Sequence, residues 1–267
     1  MAKEMIAATH LTKKFGEITA VDDISFSVKE GQIFAFLGPN GAGKSTTIKM
    51  LTTLIRPTSG KVELAGFDVV KNKDAARKAF GIVFQDPSVD DELTAYENMW
   101  LHAVLYAVPK AEMAGRIEEL LTLVELWERR KSRVKTFSGG MKRRLEIARG
   151  LLHHPQVLFL DEPTIGLDTQ TRNLLWDYVK TLSQTKDMTI FFTTHYLEEA
   201  ENIAENIAII DHGKIIASGT DDELKKQTKT KTLEAAYLQL TGKELRDEGA
   251  SGNERAKLRN RVRGGGR

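Results

Sequence analysis

The chain of 267 residues contains no cysteine. That excludes a disulfide framework and any thiolate metal site, and it suits a reducing compartment. No apolar run approaches the ~20 residues that cross a bilayer. The opening Met1-Ala2-Lys3-Glu4-Met5-Ile6 lacks the long apolar core of a secretory signal. The expectation is a soluble chain whose membrane role, if it has one, runs through a partner. Charge of one sign is also scarce, with 39 Lys and Arg against 37 Asp and Glu. There is no global basic signature, so no nucleic-acid partner is expected. The balance hides one asymmetry: from Gly249 to Arg267 six basic residues stand against Glu254 alone. That stretch is rich in Gly and poor in apolar residues, so a disordered, solvated tail is expected. Internal repeats are absent too.

What is present is a hydrophobic content of 41%, enough for a substantial core. The first part of the chain reads as β-rich, with short strands at Met5–Thr9, Ile24–Val28, Ile33–Leu37, Lys61–Leu64 and Gly81–Phe84. From Thr94 to Leu152 the pattern is helical: Tyr96–Tyr106, Ala111–Leu126 with Ile117, Leu120, Leu121 and Val124 on one face, and a third helix from Gly139. After Leu152 it alternates: strand Val157–Leu160, helix Thr171–Leu182, strand Met188–Thr194, helix Leu197–Ile203, then a hairpin of Ile207–Ile210 and Lys214–Ala217. Leu233, Ala236, Tyr237 and Leu240 mark a last amphipathic helix, read as packing. The class is α/β, with a mostly parallel sheet flanked by helices, an N-terminal antiparallel β subdomain and an inserted helical lobe. The expected organisation is one domain over 4–225 with the lobe at 87–150, a helical extension over 226–248, and the tail.

One segment carries most of the chemistry. Gly38-Pro39-Asn40-Gly41-Ala42-Gly43-Lys44-Ser45-Thr46 fits the phosphate-loop template Gly-x-x-x-x-Gly-Lys-Ser/Thr without a mismatch. An apolar strand precedes it, and the helical spacing of Ile48, Leu51 and Ile55 follows, as the motif requires. The three glycines let the backbone curl so that successive N–H groups face a triphosphate. Lys44 places a positive charge on the β/γ oxygens, and the Ser45 hydroxyl can ligate Mg²⁺. The helix dipole adds to the attraction. A second element follows at Val157-Leu158-Phe159-Leu160-Asp161-Glu162, an apolar strand ending in two acids. Alone it could be a solvated turn. Paired with the loop, Asp161 is assigned to Mg²⁺ and Glu162 to polarising a water for in-line attack.

Phe137-Ser138-Gly139-Gly140-Met141, shortly before those acids, resembles the signature Leu-Ser-Gly-Gly-Gln of the nucleotide-binding subunits of ATP-binding cassette transporters. Lys142 to Arg149 is similar to the helix that follows it. Ser138, Gly139 and Gly140 would form a helix N-terminus able to hold a second anion, or simply a cap. The rest of the resemblance falls in the family's order. It implies that Gln85 links the Mg²⁺ and water site to the helical lobe and that Gly166-Leu167-Asp168 is the D-loop. It implies further that His195 contacts the γ-phosphate and that Phe15 stacks on adenine. Phe137 and Met141 depart from the usual Leu and Gln; Met141 cannot make the polar contact of a Gln.

The resemblance also implies a partner set: a homodimer in which the loop 38–46 of one copy and Ser138-Gly139-Gly140 of the other clamp ATP, docked on a separate transmembrane permease at the cytoplasmic face of the membrane. The stretch Gly81–Met99 and the segment Thr232–Leu240 are similar to the daunorubicin-resistance-type drug exporters, implying export of hydrophobic drugs or lipids. Two alternatives stand beside this. An importer subunit often carries a further β domain, for which the residues after Leu224 are too few. A soluble cassette ATPase of the ribosomal or DNA-repair kind has a second cassette or a long coiled coil, neither visible here.

Overall fold

The computed structural model describes residues 3–86, 88–186 and 188–242. The basic tail therefore lies outside the described residues. Long alternating strands β1 (Glu4–Phe15) and β2 (Ile18–Lys29) form an antiparallel hairpin, extended by β4 (Ser59–Leu64) and β5 (Phe67–Asp68) into a sheet of order β2-β1-β4-β5. The remaining strands are β3 (Ile33–Leu37), β6 (Phe80–Val83), β7 (Val157–Asp161), β8 (Thr189–Thr194), β9 (Asn206–Asp211) and β10 (Lys214–Gly219). They form a second sheet of order β10-β9-β3-β8-β7-β6, parallel except for the terminal β9–β10 hairpin.

Strands β3, β7 and β8 are buried along their whole length, which is why they read as apolar clusters (Ile33–Leu37, Val157–Leu160, Ile190–Phe192) rather than as apolar–polar alternations. Phe34, Phe36, Phe159 and Phe191 face the antiparallel sheet, while Ala35, Leu37, Leu158, Leu160 and Phe192 belong to the core on the other face. Phe26 of β2 lies 5.6–5.9 Å, centroid to centroid, from the rings of Phe34, Phe36 and Phe191, joining the two sheets.

Nine α-helices stand among the described residues: α1 (Lys44–Leu51), α2 (Lys73–Lys78), α3 (Ala95–Leu105), α4 (Lys110–Leu123), α5 (Gly139–Gly150), α6 (Thr169–Lys186), α7 (Leu197–Ile203), α8 (Asp221–Thr228) and α9 (Leu233–Thr241). α3 opens with a capping box between Thr94 and Glu97. Ile117, Leu120 and Leu121 of α4 are buried, as their spacing requires. That helix stops short of Leu126 because Glu125 takes a left-handed φ of 56°.

Further local features differ from the expectation, β2 among them, which opens at Ile18 rather than Ile24. β1 runs past Thr9 because His10 (φ 50°) and Asp23 (φ 53°) sit in register shifts that let the ladder resume; His10 Nδ1 and Asp23 Oδ1 are 2.8 Å apart. The short α2 was not anticipated. α8 begins at a Thr220–Glu223 capping box and crosses residue 225, so the expected boundary falls inside a helix. Leu224 of α8 and Leu233 and Tyr237 of α9 join the core on the helical side of the parallel sheet.

Candidate functional site

β3, β8 and β7 are adjacent and parallel, with Leu37 level with Thr194 and Asp161 level with Thr193. Three segments far apart in sequence therefore leave the sheet at the same edge: the loop after Leu37, the acids ending β7, and His195. The carboxyl ends of parallel strands are where ligands bind in such sheets.

The loop has the backbone its glycines permit. Gly41 and Gly43 have φ of 82° and 106°, a region other residues enter at a cost. A Cβ on Gly38 would stand 2.2 Å from the Ile210 carbonyl oxygen, and one on Gly43 2.6 Å from that of Ala20. The Ala42 carbonyl accepts from Gly213 N at 3.0 Å, so the β9–β10 turn supports the loop from behind. Asn40 is exposed, while Ser45 and Thr46 are half-buried in the first turn of α1.

Lys44 is buried, and its Nζ donates to the carbonyls of Gly38 (2.7 Å) and Pro39 (3.0 Å) and pairs with Glu162 Oε1 at 2.9 Å. His195 Nδ1 lies 3.2 Å from the other oxygen of Glu162. Ser45 Oγ donates to Asp161 Oδ1 at 3.2 Å, and Thr193 Oγ1 donates to that same oxygen at 2.6 Å while accepting Glu162 N at 3.0 Å. Glu162 has φ 47°, a left-handed conformation that costs a non-glycine residue on the order of 1–3 kcal/mol. Burial pushes its carboxyl up, but the hydrogen bond from His195 and the charge and hydrogen bond of Lys44 outweigh burial and hold it below the ordinary glutamate range. It is thus ionised at neutral pH. The adjacent oxygens of Ser45 and Asp161 are hard donors, few in number. That suits Mg²⁺, which keeps most of its shell for water and phosphate.

Other expected site residues stand outside this bonded cluster. Gln85 is exposed just past β6. Phe15, half exposed, ends β1 opposite Ile18, with Lys13 Nζ 4.9 Å from its ring centroid; the hairpin reaches the loop through Ala20. Ser138 caps α5, its Oγ accepting Met141 N at 3.3 Å. A Cβ on Gly140 would meet Thr171 Cγ2 at 2.1 Å, and one on Gly139 would stand 3.8 Å from Leu167 Cδ2. The segment thus packs on the turn Gly166-Leu167-Asp168 and the start of α6. Phe137 is buried and Met141 packs against the core, so both departures from the family signature serve packing.

Two positions had no visible signal in the sequence. Thr193, which bridges Asp161 and Glu162, is one residue of an apolar strand. Glu199 sits in the run Leu197-Glu198-Glu199-Ala200, which reads as a solvated face. Yet Glu199 is buried, accepting from the Thr164 hydroxyl and, at 2.6 Å, from Thr194 Oγ1. It ties the segment after Glu162 to the strand end before His195. Only the helical phase set by buried Ala200 distinguishes it from exposed Glu198.

Residues 21–165 match a protein-family model described as ABC transporter. The chain is 44% identical over 220 residues to the linearmycin resistance ATP-binding protein LnrL of Bacillus subtilis, covering 82% of this chain and 70% of that one. It is 45% identical over 210 residues to the doxorubicin resistance ATP-binding protein DrrA of Mycobacterium tuberculosis, covering 79% of this chain and 63% of that one. Among solved structures it is similar to the dimeric post-hydrolysis state of the ATP-binding cassette MJ0796 bound to ADP and Pi. There the TM-score is 0.72 at 29% identity, over 81% of this chain and 98% of that one.

Proposed function

We infer that this chain, which belongs to the ABC transporter family and hydrolyses ATP as a subunit of that family, powers an exporter whose membrane-spanning part is a separate protein. The observation that carries the reading is the bonded line Lys44–Glu162–His195 beside Ser45–Asp161, at the lip of one parallel sheet. In this reading the N–H groups of residues 38–46 and the Lys44 ammonium grip the phosphates, and the exposed ring of Phe15 stacks on adenine. Ser45, Asp161 and Gln85 would hold Mg²⁺, which when bound supplies charge neutralisation at the phosphates. Glu162 orients the attacking water. Its depressed carboxyl makes it a weak proton acceptor, which favours orientation over early proton removal. Lys44 and His195 offset the charge that builds on the γ-phosphate oxygens.

Two copies complete the site. Ser138, Gly139 and Gly140 open a twelve-residue helix whose N-terminal N–H groups and dipole favour an anion. The segment packs on its own D-loop rather than on its own loop 38–46, which supports a role facing the nucleotide of a second copy. A γ-phosphate shared across that face favours the closed dimer, and hydrolysis removes the bridge. We assign 4–228 to the nucleotide-binding domain, moving the expected boundary at 225 to the end of α8, with 88–150 as its inserted lobe and α9 as the described part of its extension.

On α3, Trp100, Leu101, Val104 and Leu105 are exposed along one side. Asn98 of the same helix exchanges hydrogen bonds with Asp90, shortly after Gln85, at 2.9 Å in each direction. That supports docking of the permease's cytoplasmic segment on α3, with Gln85 sensing it, at the cytoplasmic face of the membrane. Among the described residues no helix is long and apolar enough to cross a membrane. Relatives named for linearmycin and doxorubicin resistance favour drugs as cargo, and hydrophobic drugs or lipids are the cargo class we propose. The test is Glu162→Gln: phosphate release should fall by about 10²–10⁴-fold while nucleotide binding persists. Turnover at the wild-type rate refutes the role of Glu162, and failure to co-purify with any polytopic membrane protein refutes the exporter reading.

A further inference from the structure

We propose that Arg143 and Glu146 of α5 are a positioning pair through which this helix sets the geometry of both Glu162 and Gln85. Arg143 and Glu146 are buried, one turn apart, and paired at 3.2 Å. The guanidinium of Arg143 reaches two loops at once. Its Nε donates to the Pro163 carbonyl at 2.8 Å and one Nη to the Asp161 carbonyl at 3.2 Å, the residues on either side of Glu162. Its other Nη donates to the carbonyl of Phe84, the residue before Gln85. Glu146 holds the far side of the same loop, accepting Ser88 N at 2.6 Å and Ser88 Oγ at 3.1 Å, and Arg149 donates to the Ser88 carbonyl at 2.6 Å. One ion pair thus brackets Glu162 between 161 and 163, and Gln85 between 84 and 88.

The chemistry explains why an arginine stands there. Glu162 is held in a left-handed conformation (φ 47°) that needs outside support. A planar guanidinium presents its donors in fixed directions, so it can satisfy several carbonyls and a carboxylate together, where an ammonium is a point charge on a flexible stem. Arg143 touches neither reacting atoms nor phosphate by this geometry; it acts through the backbone of Glu162. Because α5 opens with Ser138-Gly139-Gly140, any displacement of its N-terminus reaches Glu162 and Gln85 through a single rigid side chain. The pair thereby couples the surface presented to a second nucleotide with the hydrolytic residues of its own copy.

The inference rests on the proposed role of Glu162, and the experiment separates the two. The full-length chain is compared with Arg143→Lys, which keeps the charge and loses the fork, in phosphate-release assays and in titrations with a fluorescent ATP analogue. We expect kcat to fall by about 10- to 100-fold, the scale of a sub-ångström to 1 Å misplacement, with nucleotide Kd within about twofold of wild type. In the Glu162→Gln background the same substitution should change the residual rate by less than about twofold, because residues acting through one another are not additive. Thermal melting reports whether Arg143→Lys folds. If it does not, Arg143→Gln/Glu146→Gln, which removes both members of the ion pair together, should show the same loss of kcat at unchanged Kd. Wild-type kcat in the folded variant, or an equal loss with and without Glu162, overturns the positioning role alone. Normal turnover in Glu162→Gln itself overturns the parent reading.

Discussion

Gly140→Ala tests whether α5 and α6 pack as closely as the structure has them. In an isolated helix the exchange favours folding by up to about 1 kcal/mol, since alanine is the better helix former. Here the sign reverses. The new Cβ would lie 2.1 Å from Thr171 Cγ2, with the Cβ of Thr171 at 3.4 Å and its Oγ1 at 3.5 Å. Thr171 cannot simply rotate away, because its hydroxyl donates to Asp168 Oδ2 at 2.7 Å and its N–H to Oδ1 at 3.0 Å. Overpacking costs about 1–3 kcal/mol, so after the propensity gain the variant should be about 0–2 kcal/mol less stable. The offending atom is a single methyl. Thr171→Ser removes it and keeps the bond to Asp168, so Gly140→Ala/Thr171→Ser should recover the loss. Urea unfolding of the four proteins closes the cycle, with an expected coupling of about 1–3 kcal/mol between the two sites. A cycle that closes additively, with a coupling below about 0.5 kcal/mol, refutes the close approach. ATPase activity read in parallel should follow the same rescue if Ser138–Gly140 must sit flush against the D-loop to work.

Further outcomes follow from the same geometry. Lys44→Ala removes a charge-assisted donor of about 1.5–3 kcal/mol and should weaken nucleotide binding by about 10- to 150-fold; an unchanged titration refutes its placement on phosphate. Glu199→Ala strips two buried hydroxyls of their acceptor and should cost about 2–4 kcal/mol. Glu199→Gln, which keeps one acceptor and gains a donor, should lose less than half of that by thermal melting; equal losses would show that the contacts with Thr164 and Thr194 do not matter. The carboxyl of Glu162 is held below its ordinary 4.5 in the fold, so its contribution to stability is complete above that value and drains away as pH falls through the depressed one. The stability difference between wild type and Glu162→Gln should therefore hold from pH 6 to about 4.5 and shrink as urea unfolding is repeated below it, and a difference that stays constant there contradicts the Lys44–Glu162–His195 arrangement.

Much of this protein was legible locally. The runs Ile33–Leu37, Val157–Leu160 and Met188–Thr194 announce buried parallel strands because a strand covered on both faces has no polar side to show. The loop 38–46 announces a phosphate site because its glycines and Lys44 satisfy a steric and electrostatic template that needs no other part of the chain. The start of α8 is equally legible in its Thr220–Glu223 capping box. Alternation by itself ends β1 at Thr9, because the bulge at His10 breaks the pattern.

What the chain order alone determined was therefore each element's kind and the chemistry of its motifs. Only tertiary structure decided which motifs meet. β8 inserts between β3 and β7, so Lys44, Glu162 and His195 touch across more than a hundred residues of sequence. It also decided that Arg143, Glu146 and Glu199 are buried and bonded. The physical reason is that a side chain's partners across a sheet or between a helix and a loop are set by strand order and helix phase in three dimensions. No local period in the sequence records those.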